Sequence, residues 1–499
     1  MQTIGTFEKA HLICINCDSR RPGMIGAMNL HDLPSSGDMV IDPADMVIDP
    51  ALIRKHDVPG PRYTSYPTAD RFTGSFREAA LRHHLAARQG GQPWSLYMHL
   101  PFCDTLCYYC ACNKVITRDH SKSAKYVEYL EREMALLEPL LGAERRVCQL
   151  HWGGGTPTFL QRDEMARVVR AVDARFERTP DFECSIEIDP RRIPAGTLEF
   201  LAGLGFNRCS IGVQDFDPAV QKAVHRIQSE EVTRAAIEEA RASGFRSVNL
   251  DLIYGLPRQT VPGFAATLEK VIALAPDRIA LYSYAHLPGT FKPQRRISEA
   301  DLPAGESKLA ILTLAIERLR AAGYVYIGMD HFARPDDALA VAQAQGRLQR
   351  NFQGYSTYPE CDMLSFGISA IGRVGPTYYQ NVKTLPEYYA ALDEGRLPVA
   401  RGIELTDDDR LRRFVIQQLA CNFRLSREAV ERDFGIDFGT YFATEMQDVA
   451  DLAKDGLVEL SGEGIRVTPR GRLLVRAVCM VFDRYLRERR ERATYSKVV

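Results

Sequence analysis

Cys103-Asp104-Thr105-Leu106-Cys107-Tyr108-Tyr109-Cys110-Ala111-Cys112 places four sulfurs within ten residues. The first three cysteines are spaced C-x3-C-x2-C, and the fourth follows after one alanine. Apolar residues from Tyr97 to Leu100 read as a strand, and Pro101 and Phe102 break its period. The cysteines therefore occupy a loop leaving a strand end. A strand would send successive thiols to opposite faces, whereas a loop can wrap them around one object. Zinc sites usually pair C-x2-C with a second, distant pair. Iron–sulfur clusters take close runs of thiolates. A disulfide framework belongs to small secreted domains. Cys103, Cys107 and Cys110 are read as ligands of one 4Fe–4S cluster. Three ligands leave one iron open to a substrate or cofactor.

Outward from this loop the pattern is strand, loop, helix, repeated. Strand candidates are Leu96–Leu100, Val147–Trp152, Cys184–Ile188, Arg208–Val213, Val248–Leu252 and Arg278–Tyr282. Helical stretches lie between them at Ala124–Leu137, Met165–Phe176, Ala195–Leu204, Val232–Ser243 and Gly263–Leu274. Near-continuous apolar strands alternating with amphipathic helices predict an α/β fold with a parallel sheet, matched best by a partial (β/α)6 barrel. Each strand ends in a polar or glycine-rich cluster: the cysteines, Gly153–Thr156, Glu187 with Asp189, Gln214 with Asp215, Asp251, then Tyr284 to His286. In a parallel barrel those ends share the face on which active sites are built. Gly153–Gly155 let backbone approach a ligand closely, and their amides and carbonyls could hold it. Glu187 can accept hydrogen bonds from a ribose or an ammonium. Arg226 can grip a carboxylate and Asp251 an ammonium. His225 reads as a helix-surface residue.

The 499 residues suffice for two or three domains, and 45% hydrophobic residues fit a globular chain. The formal net charge of -1 gives no global sign of nucleic-acid binding. No apolar run reaches the length of a membrane span, and Leu12 to Ile15 is too short for a signal peptide. Twelve cysteines without an export signal point to a reducing cytoplasm.

Residues 1–50 read as a poorly ordered appendage carrying a direct repeat, Asp38–Pro43 and Asp45–Pro50, and an incidental Cys14-x-x-Cys17. Residues 51–95 form an N-terminal arm. Within it Gly60-Pro61-Arg62-Tyr63-Thr64-Ser65-Tyr66-Pro67 is extended, a flap over a pocket. A catalytic domain is expected over 96–395 and a mainly helical lid over 396–499. Ala304–Ala322 reads as a helix and Tyr324–Met329 as a strand. Strand-like runs at Leu457–Leu460 and Ile465–Thr468 give the last domain a winged-helix pattern. Its basic run Arg484–Arg492 reads as a solvated face.

The C-x3-C-x2-C spacing, with an aromatic before the third cysteine, resembles the radical S-adenosylmethionine (SAM) superfamily. Gly60–Thr68, CDTLCYYCAC, His151–Pro157, Gly212–Phe216, Asp251–Pro257, Gly328–Asp337 and Asn351–Tyr355 together resemble the oxygen-independent coproporphyrinogen III oxidase family, from about residue 50 onward. The related heme chaperones lack the fourth cysteine. Radical-SAM methyltransferases and cyclopropanases share the two-SAM core.

That resemblance implies oxidative decarboxylation of the ring A and B propionates of coproporphyrinogen III to vinyls, giving protoporphyrinogen IX in heme biosynthesis. It implies one cluster and two SAM molecules. Tyr97, Gly154, Glu187 and Ile371 would contact the cluster-bound SAM. Gly155, Thr156, Gln214, Arg226, Asp251 and Ala285 would contact the second, and Tyr109 would lie near an adenine. Cys112 and Tyr97 are the candidate catalytic residues. A flavodoxin-type electron donor, a monomeric state and no nucleic-acid partner complete the expectation. Arg62 is a candidate partner for a substrate carboxylate on chemical grounds.

Overall fold

The computed structural model describes residues 46–88, 90–358 and 361–488, with 495 and 497. Cys14, Cys17 and the first copy of the repeat lie outside the described residues, as does Asp45 of the second.

Six parallel strands stand side by side in chain order: β1 (Trp94–Leu100), β2 (Arg146–Gly154), β3 (Glu177–Ile188), β4 (Arg208–Gln214), β5 (Ser247–Tyr254) and β6 (Arg278–Ser283). Their period-2 pattern divides them cleanly. Leu96, Met98 and Leu100 are buried on the helix-covered face, while Ser95, Tyr97 and His99 alternate to the inner one. Amphipathic helices follow the strands, and their starts are chemically marked. Gln161 and Glu164 form a reciprocal cap on Arg162–Asp173, and Ser229 and Thr260 cap Glu230–Ala242 and Val261–Leu274. The continuous apolar core packs between these helices and the sheet.

The sheet is wider than the six repeats alone predict, with twelve strands. Beyond β6 come His331–Ala333 and Val325–Gly328, both antiparallel to their neighbours. Beyond β1 comes Met363–Phe366, parallel to it with Tyr97 opposite Ser365. Ile371–Val374, Thr377–Asn381 and Val399–Glu404 then extend that edge. The sequence after residue 300 thus completes both edges of the catalytic sheet. Its last strand lies beyond residue 395, because Thr377–Asn381 needs a partner for its outer backbone groups.

The arm is pinned rather than free. Tyr63 and Tyr66 are buried; the Tyr63 hydroxyl donates to Asp483, and Tyr66 accepts from the Arg484 amide. Thr73 exchanges two backbone hydrogen bonds with Gly402. The helix Pro50–His56 is capped by Asp49, and Met46 is buried with its carbonyl held by Arg320. In the C-terminal part, Arg424–Ser426, Gly464–Val467 and Val458–Ser461 make a three-stranded sheet among helices. Arg484 and Arg487 are paired with Asp408 and Asp448.

Candidate active site

The cysteine loop is tied at its base. Phe102–Cys103 pairs in parallel with Val115–Ile116, so residues 103 to 116 form a closed lariat. Val224 and His225, just after the helix Pro218–Ala223, hold it from outside. Val224 O accepts from the Tyr108 amide at 3.0 Å, and His225 Nδ1 meets Leu106 O at 2.8 Å. The His225 ring also stacks on Tyr108, centroids 5.0 Å apart. His225 is therefore a clamp on this loop. Gln294 donates to Tyr109 O and Ala285 O, at 3.1 and 3.2 Å, which brings those two expected site residues together.

Each of the three sulfurs has a donor. Thr156 Oγ1 reaches Cys103 Sγ at 3.4 Å. Arg191 and Arg226 point guanidinium nitrogens at Cys107 Sγ, at 3.6 and 3.7 Å. The Cys112 thiol donates to Cys110, and with Lys114 nearby this pulls the Cys110 thiol down to about 6. Cys103 is pushed up to about 12 by burial. Donors aimed at sulfur stabilise thiolates, so the trio suits a group that carries positive charge. Among the described residues no three His, Cys, Asp or Glu side chains are close enough to share a single metal ion. A 4Fe–4S cluster takes one thiolate per iron, and these three thiols, each with a donor at its sulfur, are the residues that would hold it.

Asp189 organises the two arginines. It accepts from Arg191 at 2.5 Å and from Arg226 at 3.1 Å. Burial opposes its ionisation, yet the Arg191 hydrogen bond and the Arg226 charge hold its carboxyl down at about 2. Arg226 also donates to Gly212 O at 2.7 Å. The residue expected to grip a carboxylate is thus already engaged with Asp189, a backbone carbonyl and a sulfur.

Beside the loop, Tyr97 donates to His99 Nδ1 at 3.1 Å, and His99 Nε2 donates to Asn113 O at 2.9 Å, which fixes the tautomer. His151 stacks on Tyr97, bonds Ser185 Oγ at 2.6 Å and lies 3.6 Å from Glu187. Burial opposes the Glu187 charge, but His151 and the Gly154 amide, 3.1 Å away, hold its carboxyl below the usual range. The Glu187 side chain is still 45% exposed, because it opens onto the inner face of the sheet. Ile371 is brought beside Tyr97 through Ser365, whose hydroxyl donates to Ile371 O at 2.6 Å.

The Gly154 amide goes to Glu187 and the Gly155 amide to Leu100 O, so both amides are engaged within the protein. What demands glycine here is closeness. Gly154 sits at φ +114, where a Cβ would come within 2.7 Å of His99, and a Cβ on Gly155 would lie 2.5 Å from Pro101. Gln214, at φ +70, ends β4 next to a register shift, and its amide and the Arg226 guanidinium both close on Gly212. Asp251 faces the same space. Burial, then the Glu187 charge, push its carboxyl up to about 7 despite bonds from Ser210 and Asn249.

Two expected residues lie elsewhere. Asp215 turns back between strand and helix, accepting from Thr267 and Gln259, each at 2.6 Å. Arg62 is ion-paired with Asp330 and lies over Tyr282. It is therefore already neutralised as a carboxylate receptor. His99, His151, Arg191 and Gln294 were missed. The period of two from Tyr97 marks His99, whereas Arg191 and Gln294 carry no local pattern.

A lariat of three thiols at the end of the first strand of a parallel sheet, with acids at the following strand ends, defines a radical SAM protein. Residues 97–271 match the Radical SAM superfamily model, and residues 405–474 match the HemN C-terminal domain model. The oxygen-independent coproporphyrinogen III oxidase of Salmonella typhimurium is 51% identical over 449 residues, 90% of this chain and 98% of that one. The Pseudomonas aeruginosa protein of the same name is 52% identical over 438 residues, 87% and 95% of the two chains. The solved structure of coproporphyrinogen III oxidase from Escherichia coli, described as a radical SAM enzyme, superposes with a TM-score of 0.85 at 49% identity. It covers 89% of this chain and all of that one. The chain belongs to the oxygen-independent coproporphyrinogen III oxidase family.

Proposed function

We propose that this protein converts coproporphyrinogen III to protoporphyrinogen IX without oxygen, turning the ring A and B propionates into vinyls with loss of two CO2. The observation that carries this reading is the thiol trio with a donor on every sulfur, in a chain half identical to named oxidases over nearly its whole length. When bound, the cluster and SAM would supply a primary carbon radical able to take a hydrogen atom from the propionate carbon attached to the ring; loss of the neighbouring carboxylate as CO2 then leaves the vinyl and passes one electron to a one-electron acceptor.

The protein's own part is positioning and exclusion of water. Cys103, Cys107 and Cys110 would hold the cluster, and Arg191 and Arg226 donate to Cys107 Sγ. Tyr97, Gly154, Glu187 and Ile371 seat the SAM on the cluster. Gly155, Thr156, Gln214, Arg226, Asp251 and Ala285 seat the second, with Tyr109 against an adenine. Asp251 supplies the negative partner for an ammonium. Arg226 keeps its orphan Nε for a ligand, since that atom is buried without a hydrogen bond. Cys112 is exposed two residues beyond the last ligand, placed to act on the substrate after SAM cleavage.

The arm and the C-terminal part close the reaction space over the sheet, and residues 1–45 are dispensable to it. The protein works as a monomer in the cytoplasm and draws electrons from a flavodoxin-type donor. The free thiols of all described cysteines support a reducing compartment. No described helix is long and apolar enough to cross a membrane.

The test is anaerobic turnover of the reconstituted protein with coproporphyrinogen III, SAM and a reductant. Protoporphyrinogen IX with two CO2 per molecule is expected. Methylated product, or heme binding without turnover, would overturn the reading.

A further inference from the structure

Cys107 differs from the other two thiols in the donors it receives. The Thr156 hydroxyl serves Cys103, and the Cys112 thiol with Lys114 serves Cys110. On Cys107, the buried one of the three, two guanidinium groups converge, Arg191 at 3.6 Å and Arg226 at 3.7 Å. Both share one carboxylate, Asp189. Among the described residues no other carboxylate pairs with either group, so one positive charge is left over this sulfur. Arg226 has its part in seating the second SAM. Arg191 has none there, although it meets the cysteine loop twice, at Cys107 Sγ and at Thr105 Oγ1, 3.3 Å away.

Arg191 is firmly aimed. Asp189 caps the short turn Pro190–Arg192, accepting from the Arg191 amide at 3.2 Å. The same carboxylate grips the guanidinium, taking Nε at 2.8 Å and Nη2 at 2.5 Å. Pro190 between them is buried, and its ring fixes φ. A guanidinium held by such a fork loses little freedom in making one further contact. The Arg191 side chain is 14% exposed, so water screens its charge weakly.

One electron added to a thiolate-held cluster is negative charge that the ligand sulfurs share. Hydrogen bonds to those sulfurs and the local net charge set the potential of such clusters. A cation donating to one of the sulfurs favours the reduced state over the oxidised one. The Asp189 charge offsets part of that field, so the Asp-Pro-Arg unit fixes both the direction of the donor and the strength of its effect.

Resting on the cluster reading above, we propose that Arg191, aimed by Asp189, raises the reduction potential of the cluster through Cys107 and so eases entry of the electron from the donor. Arg191 is in this sense a positioning residue, acting through a ligand sulfur and touching no substrate.

The test is anaerobic potentiometry of the reconstituted full-length protein without SAM, with dithionite as reductant, redox mediators, and the EPR signal of the reduced cluster as readout. In Arg191→Met the ratio of oxidised to reduced cluster at a fixed potential should rise roughly tenfold, a midpoint about 59 mV lower for one electron. Arg191→Lys keeps the charge and should recover most of that shift. If Arg191→Met does not load with iron and sulfide, Arg191→Gln carries the same expectation. An unchanged midpoint in a fully loaded neutral variant would overturn the proposal. A midpoint equally low in Arg191→Lys would overturn it too, because charge would not be the cause. Failure of both neutral variants to hold the cluster would make Arg191 a structural clamp on Thr105 and Cys107, and would also overturn it. A wild-type protein that takes up no 4Fe–4S cluster would instead refute the reading on which this rests.

Discussion

Two carboxylates, Asp189 half-buried and Glu133 fully buried, one on each side of the sheet, show how this fold manages charge. Asp189, at the rim above the inner face, is gripped by two arginines and stays ionised, with a carboxyl at about 2. Glu133, on the helix Ser121–Leu137 behind the sheet, receives three neutral donors: the Gly367 amide, Asn381 and the Tyr388 hydroxyl. Burial there outweighs the donors and pushes the carboxyl up to about 7. Hydrogen bonds alone do not keep a buried carboxylate charged here; a formal positive partner does. The charge is kept where it holds arginines onto a sulfur ligand, and is nearly given up where it only ties helix to sheet.

The largest effect is expected at the rim. Cys103→Ser, Cys107→Ser or Cys110→Ser should abolish cluster content and SAM cleavage together, read by iron analysis and 5′-deoxyadenosine formation. A full-occupancy, stable cluster in all three would separate the thiols from the cofactor. Cys112→Ser should keep the cluster and still cleave SAM while losing most vinyl product. Loss of the cluster would make Cys112 a ligand or support, and wild-type turnover would make it a packing residue.

Asp189→Asn tests the rim charge itself. It leaves Arg191 and Arg226 buried without their anion, so a destabilisation of roughly 3–5 kcal/mol and faster cluster loss should appear together. Unfolding that shifts while cluster retention does not would confine Asp189 to structure.

Glu133→Gln tests the other side. Because the folded-state value lies above the ordinary 4.5, the native state holds an extra proton between about pH 4.5 and about 7. The wild type should therefore lose up to roughly 3 kcal/mol of stability as pH rises through that window. The variant should lose less, measured as the pH slope of the denaturant midpoint. Equal slopes would show that Glu133 titrates normally. The smallest effect belongs to deletion of residues 1–45, which should leave turnover near wild type under the same anaerobic assay.

Much of this was legible beforehand. All six parallel strands and the helices after them follow from apolar runs and caps, since period 2 and period 3.6 are local properties. The loop position of the cysteines followed from Pro101 and Phe102. The sheet edges did not, because Met363–Phe366 joins β1 across more than 250 residues and nothing local announces that partner. The expected residues at strand ends come together because parallel topology gathers them. Arg191, His225 and Gln294 carry no such signal, since their value lies in what they touch from short loops and turns. Arg226 shows the opposite case. Its charge reads in the sequence as a gripping group, but its nearest anion belongs to the protein.

The central claim is that the thiol rim delivers a carbon radical to a propionate held on the inner face. The direct measurement is turnover of coproporphyrinogen III deuterated at the propionate carbon attached to the ring. One deuterium should appear in 5′-deoxyadenosine for every vinyl group formed. Vinyl product accompanied by unlabelled 5′-deoxyadenosine would contradict it.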